Sequence, residues 1–425
     1  MRNLSFRPYL IFLAALLFRL GIFFAGSLPG YVNDSFYYVP VAKEIAAGHG
    51  FQFVWPWASL EANPDQLKAA REGNPGLKIT QDGVVSKMLL ADPGYALFLA
   101  FLYMIGITGN SGVMLVQCIL SALLAPALYT YVLRRNSPTH ATAAGLLYAL
   151  DPLAASTCFF LLREIFVMMV IAIAVFALDL THRYATAVKG FLLGVATLSF
   201  SLLGLWSIFL WIWDRWLSPK RRAVTAGVVL CAWMVFGLWA VRNILISDGN
   251  YAFRRTQTGI LLYYVSHYDF PYLPNPARPD FKKVLDEAGQ RFGDGFTVEQ
   301  RKLEKEILKA VWETFKAAPF TVTWRFVKAN FWFWVEVPGA MGMLESRPAV
   351  HAAFLIFHLA QLFCFLAGLF FMFKSGDASS YRFVWGTVAY LAIFVFPFMP
   401  IPRYYAPFLP LIDICAAYGA VRLCR

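Results

Sequence analysis

Residues 350–373 read VHAAFLIFHLAQLFCFLAGLFFMF, a run without a single Asp, Glu, Lys or Arg. A helix rises about 1.5 Å per residue, so a run of this length crosses the roughly 30 Å hydrocarbon core of a bilayer. Segments of the same kind recur near 8–28, 112–133, 140–160, 164–180, 187–217, 223–246, 382–399 and 404–421, with a shorter one at 93–107. The composition of the 425 residues agrees, with 59% hydrophobic and 15% charged, and a mean hydropathy of +0.57. A soluble chain carries roughly a quarter charged residues. Here the charge is withdrawn from the long runs and collected between them. Arg2 and Arg7 ahead of the first run resemble a cleavable leader, but Arg19 interrupts that run and further spans follow. The expected fold is an all-α polytopic membrane protein with about 10 to 11 transmembrane helices and two extracytoplasmic loop regions.

The formal charge of +12 does not indicate nucleic acid as a partner. Basic residues gather at span ends: Arg134 and Arg135, His182 and Arg183, Lys220 to Arg222, Lys374, Arg422 and Arg425. That is the pattern of cytoplasmic loops under the positive-inside rule. The six cysteines lie in or beside spans without CxxC spacing, as small packing residues do.

Arg2 and Arg7 place the N-terminus in the cytoplasm and residues 29–92 outside; Arg422 and Arg425 return the C-terminus inside. Between them the parity has two solutions. If 93–107 crosses, Arg134 and Arg135 fall outside. If it is re-entrant or superficial, they fall inside and 187–217 must be two short spans. The expected organisation is an N-terminal transmembrane module over 1–246, an outer segment over 247–345 and C-terminal helices over 346–425. In the first outer loop, Pro40 and Gly48 bracket a short helix from Pro40 to Ala47, ahead of a polar insertion around 58–86. In the second, Thr297-Val298-Glu299-Gln300 reads as a capping box, opening a helix that Pro319 closes. Val298, Leu303, Ile307, Val311 and Phe315 form its apolar face, so it should lie flat on the protein or the headgroups. Phe331-Trp332-Phe333-Trp334 reads as an interfacial aromatic belt. The absence of an internal repeat argues against a transporter built from two related halves.

No GxxxxGK[ST] loop, GxGxxG, HExxH or DxD pair is present. A membrane enzyme without nucleotide-binding features needs a substrate that is already activated, and a sugar on a polyprenyl phosphate is one. The phosphate leaves readily, so one carboxylate to take the acceptor proton and cations to hold the phosphate suffice, with no cofactor or metal. Asp34, just beyond the first span, is the candidate carboxylate, although the Asn33-Asp34-Ser35 triplet is also ordinary turn or cap chemistry.

Asp34-Ser35, Tyr37-Tyr38 and Ala42-Lys43-Glu44-Ile45-Ala46-Ala47-Gly48-His49-Gly50-Phe51 resemble the first outer loop of GT-C glycosyltransferases, more narrowly the protein O-mannosyltransferase and aminoarabinose transferase group. Further blocks follow in the same order across nearly the whole chain. Asp92-Pro93-Gly94-Tyr95-Ala96-Leu97-Phe98 is similar to the group's Pro-Pro-Gly-Tyr-Pro-Leu-Phe, and Leu162-Arg163-Glu164 to its acidic site at the start of a later span. Leu238-Trp239-Ala240-Val241-Arg242-Asn243 resembles its Pro-Trp-x-x-Arg-Asn, and Arg403-Tyr404-Tyr405-Ala406-Pro407 its late Arg-Tyr element. Two places depart from the pattern: Asp92 stands where the first of two prolines is usual, and Ser199-Phe200-Ser201-Leu202 where an Arg-Pro break is usual.

The resemblance implies Asp34 as catalytic base. The phosphate is expected near Arg242 and Arg403, joined by Lys87, which stands five residues before Asp92 and has no exact counterpart in the group; Arg163, Glu164, His267 and Tyr404 are further substrate-binding candidates. The expected partners are a polyprenyl-phosphate-linked sugar, a glycan, lipid or protein acceptor, and membrane lipids; the expected location is the inner (plasma) membrane, with the site outside. Each residue also has a plain reading. Arg242 and Arg403 are placed to snorkel, Arg163 and Glu164 to pair with each other, His267 to sit at a surface, and Arg19 to face other helices. Two rival functions remain at this point: a polysaccharide polymerase or ligase using a diphosphate-linked donor, and a lipid or sugar transporter.

Overall fold

The computed structural model describes residues 7–25, 35–56, 77–79, 83–87, 92–217, 223–246, 263, 266, 300–335, 348–395 and 404–424. Asp34, His267, Arg403 and the expected capping box at 297–299 lie outside them.

The fold is an all-α polytopic membrane protein. Among the described residues, five helices are long and apolar enough to cross a membrane: α1 (Arg7–Ala25), α4 (Asn110–Leu133), α10 (Ala226–Ile246), α13 (Pro348–Ser375) and α15 (Leu409–Leu423), the last lengthened by a 3-10 turn over Ala406–Phe408. Shorter apolar helices stand among them: α3 (Pro93–Met104), α7 (Glu164–Ala177), α8 (Ala185–Ser199) and α14 (Arg382–Tyr390). The set is completed by α2 (Ser35–Ala46), α5 (Pro138–Ala149), α6 (Pro152–Ser156), α9 (Trp206–Leu217), α11 (Gln300–Ala317) and α12 (Pro319–Val335). Pro93, Pro138, Pro152 and Pro319 each open a helix, where a missing N–H costs nothing. Pro319 therefore begins α12 as well as ending α11.

Side-chain contacts fix the course of 93–107 along the bundle. The Tyr95 hydroxyl, at the start of α3, donates to Gln117 Oε1 at 2.8 Å, and Leu102 and Tyr103, near its end, share an apolar cluster with Val113 and Met114. Thus α3 lies beside the first turns of α4 and does not run its length. From there α4 runs about 36 Å to Arg135, which pairs with Asp179 beyond the far end of α7. Ser199, ending α8, sits against Gly94, while Asp214, late in α9, pairs with Arg382. So α8 and α9 run in opposite senses between the two ends of the bundle, and Arg134 and Arg135 belong to the end opposite α3.

Arg19, fully buried, is satisfied without a carboxylate. It donates to Ser121 Oγ (2.8 Å) and to the carbonyls of Ala15, Ala149 and Tyr148. It locks α1 to α4 and α5, the structural role expected of it. A second buried knot joins α6, α13 and α15: Gln361 Nε2 donates to Asp151 Oδ2 (3.0 Å) and Asp413 Oδ1 (2.6 Å), while Asp151 Oδ1 caps α6. Where α13 crosses α15, a Cβ on Gly368 would overlap the Cys415 carbonyl, and one on Gly419 the Cys364 carbonyl. Only glycine lets the two backbones approach this closely. All six cysteines are free.

Two outer-loop expectations change. Helix α2 begins at Ser35, five residues before the expected start, and carries Pro40 inside it, giving up the bond to the Phe36 carbonyl. The segment after it is not helix and turn alone: β1 (Gln52–Pro56), β2 (Leu77–Ile79) and β3 (Gly83–Lys87) form an antiparallel sheet in the order β1-β3-β2. Gly48 and Gly50, at φ of 83° and 81°, make the turn from α2 into β1, conformations that a side chain would resist. On α11, Ile307 is buried against Tyr263 while Leu308 and Trp312 stay exposed.

Candidate functional site

The end of the bundle that holds α2, α3 and the start of α7 gathers the chain's candidate chemistry. Arg163 immediately precedes α7 and Asp92 immediately precedes α3; their side chains form an ion pair, 9% and 6% exposed. Asp92 spends no oxygen on capping its own helix. Its other oxygen accepts from the Ser201 backbone N–H, just beyond α8. The Arg163 guanidinium lies 5.0 Å from the Phe200 ring centre and 5.4 Å from that of Tyr404, within cation–π range. Burial works against its charge, but Tyr38, Tyr404 and Glu164 outweigh burial and hold Arg163 above its usual range, firmly protonated. Glu164, the first residue of α7, is buried beside it at the positive end of the helix dipole.

Arg163 thus has a partner that the sequence did not suggest. Asp92 had registered only as a departure from a proline, and Ser199-Phe200-Ser201-Leu202 as a second departure. In the structure the two departures touch: Ser201 binds Asp92, Phe200 covers Arg163, and Gly94 leaves room for Ser199. A charge directly before Pro-Gly in so apolar a chain was the available signal, since a buried charge is rarely left without a partner. Tyr38 was likewise missed as a neighbour of Arg163.

A second group lies at the corner between α2 and β1. Arg242, near the end of α10, is half-buried. It donates to the Phe51 carbonyl (3.2 Å) and Asn243 Oδ1 (3.0 Å) and stacks over Phe51 and Trp239. Lys87, the last residue of β3, is the ladder partner of Gln52. The sheet therefore brings the backbone of Lys87 beside Gln52, the neighbour of the Phe51 carbonyl that Arg242 binds, although the two basic residues are far apart in sequence. The turn is fastened by Glu44 Oε2, which accepts from Gln52 Nε2 (2.7 Å) and lies 3.0 Å from His49 Nδ1. Tyr38, Tyr95 and Trp239 belong to one apolar cluster, against which Phe51 packs, so the two groups share a foundation. Of the sequence candidates, Arg163, Glu164, Tyr404, Arg242 and Lys87 fall at this end.

The whole chain overlays on the archaeal oligosaccharyltransferase AglB from Archaeoglobus fulgidus, solved in complex with an inhibitory peptide and a dolichol-phosphate, with a TM-score of 0.50 and 12% identity. The overlay covers 100% of this chain and 51% of that one, so the chain spans about half the length of AglB. The likeness establishes a shared fold. No protein-family profile and no curated protein sequence matches the chain.

Proposed function

We propose that the chain is a glycosyltransferase that moves a monosaccharide from a polyprenyl-phosphate carrier to an acceptor hydroxyl on the extracytoplasmic side of the membrane, with inversion. The observation that carries this reading is the convergence of Arg242 and the backbone of Lys87 on the Phe51–Gln52 corner, at the end of the helix that follows Asp34. An arginine side chain and the backbone of a lysine at one corner suit a lipid phosphate. Arg403 would join them, and His267 would reach the same phosphate from the second outer segment. Asp34 takes the proton from the acceptor hydroxyl as its oxygen attacks the anomeric carbon. The carbon–oxygen bond to the phosphate breaks, and the polyprenyl phosphate leaves as the anion. Arg163 and Tyr404 fix the heads of α3, α7 and α15 around this reaction, with Glu164 lining it. The dolichol-phosphate bound to AglB supports a polyprenyl-phosphate carrier for a protein of this fold.

The test has two arms. Lipid extracts from cells lacking the protein should accumulate an unused polyprenyl-phosphate monosaccharide, and the purified chain should release polyprenyl phosphate from that donor. Accumulation of a diphosphate-linked oligosaccharide in its place would sink the reading in favour of a polymerase or ligase. For the orientation, cysteines at Gly73 and Gly293 should both react with an impermeant thiol reagent in intact spheroplasts; labelling only after lysis refutes it.

A further inference from the structure

A cavity of about 760 Å³ opens at the end of the bundle opposite Arg163. Three arginines, Arg134, Arg135 and Arg382, line it against one carboxylate, Asp179. Arg135 is engaged by Asp179, by the Tyr131 carbonyl (2.8 Å) and by the Tyr131 ring. Arg382 is engaged by Asp214 at 2.8 Å. Arg134 is exposed at the rim and, among the described residues, makes no side-chain hydrogen bond or ion pair. The cavity therefore carries an excess of positive charge with one guanidinium uncommitted.

Its other wall is apolar and continuous with the lipid-facing side of a span. Ala127 and Thr130 line it from α4, and Phe176 stacks on Tyr131 at 4.3 Å. Leu115, Ile119 and Leu123 precede Ala127, Thr130 and Arg134 on α4 at spacings of three and four, so they share one face. All three leucine and isoleucine side chains of that stripe are exposed. A basic pocket that opens onto an apolar stripe has the shape of an amphiphile with an anionic head.

We propose that this cavity binds an anionic phospholipid, with its phosphate at Arg134 and the Arg135–Arg382 wall and its acyl chains along Leu123, Ile119 and Leu115. By the positive-inside rule this end faces the cytoplasm, the leaflet where anionic lipids meet basic pockets between spans. The site is separate from the transfer chemistry and does not depend on it.

The experiment uses the full chain purified in a neutral detergent and titrated with phosphatidylglycerol or phosphatidylcholine, with bound lipid read by native mass spectrometry. Phosphatidylglycerol should be retained in preference. Arg134→Gln, which disturbs no internal partner, should weaken it about fivefold, whereas Lys374→Gln, at the same end but outside the cavity, should not. Equal retention of both lipids would overturn the proposal, as would an equal loss in Lys374→Gln. Displacement of the lipid by millimolar inorganic phosphate would also overturn it, by making the cavity a general anion site.

Discussion

Both ends of the bundle pair arginine with aspartate, but in opposite ways. Arg163 and Asp92 are 9% and 6% exposed, roofed by Phe200 and Tyr404. Arg135 and Asp179, at the other end, are 14% and 37% exposed and edge an open cavity. Water screens the second pair and barely reaches the first. Two charges closed off together are costly to separate, since the survivor is stranded in a dry site. Two charges on a rim can loosen and accept a ligand at little cost. The closed pair is therefore a strut that fixes the end proposed for the transfer, and the open one a contact that can exchange. Removing a carboxylate should hurt in proportion to how dry and how committed its place is.

The largest effect is expected at Asp34, the carboxylate assigned to chemistry at the closed end. Asp34→Asn keeps the size and the capping ability of the residue, because Asn caps about as well as Asp. It removes only the capacity to take a proton, so turnover should fall about 10²–10⁴-fold with donor binding retained. A variant turning over near the parent rate would return Asp34 to a turn residue and make Glu164 the carboxylate to test. Next comes the strut itself. Asp92→Asn strands Arg163 and should cost about 3–5 kcal/mol of stability, read as a lowered thermal midpoint in detergent. Asp92→Leu combined with Arg163→Leu should recover only part of that loss, because the buried Glu164 then loses the neighbouring guanidinium and the Ser201 N–H its acceptor. An Asp92→Asn protein as stable as the parent would erase the distinction between the two ends.

The third effect sharpens the contrast within the reaction end. Arg163 is committed to Asp92, whereas Arg242 is assigned to the donor phosphate. Arg242→Gln should therefore weaken donor binding about ten- to a hundredfold, the equivalent of roughly 1.5–3 kcal/mol for a charge-assisted contact, while the fold persists. Unchanged donor affinity in a well-folded Arg242→Gln protein would leave its stacking on Phe51 and Trp239 as its whole purpose.

The membrane class was legible because run length alone decides it, and so was the start of a short apolar helix at Pro93; the run 140–160, read as one span, is divided between α5 and α6 at Pro152. The course of 93–107 was not legible, since hydropathy reads the same for a crossing helix and for one that turns back. It took Tyr95 on Gln117, and Arg135 on Asp179, to separate them. The strands over 52–56 and 83–87 are too short to show a period against their surroundings. Lys87 and Arg242 were legible as cations, and their shared corner was not, because a strand ladder and a distant helix bring it about. Asp92 was visible only as an irregularity. Its meaning depends on Ser201 and Arg163, which only folding brings to it.

The smallest effect is expected at the open end, and it tests the comparison from the other side. Asp179 is more than a third exposed, so its pair with Arg135 is screened by water and worth no more than about 1 kcal/mol. Arg135 keeps the Tyr131 ring and the Tyr131 and Ser380 carbonyls when the carboxylate is gone. Asp179→Asn should thus leave the thermal midpoint almost unmoved, in contrast to Asp92→Asn. Removing the one carboxylate among three arginines also frees Arg135 for an anionic headgroup. The same variant should then hold phosphatidylglycerol more tightly than the parent. A large loss of stability in Asp179→Asn would show the rim pair to be a strut like the buried one. Weakened lipid retention would show that Asp179 orients Arg135 toward the cavity and does not compete for it.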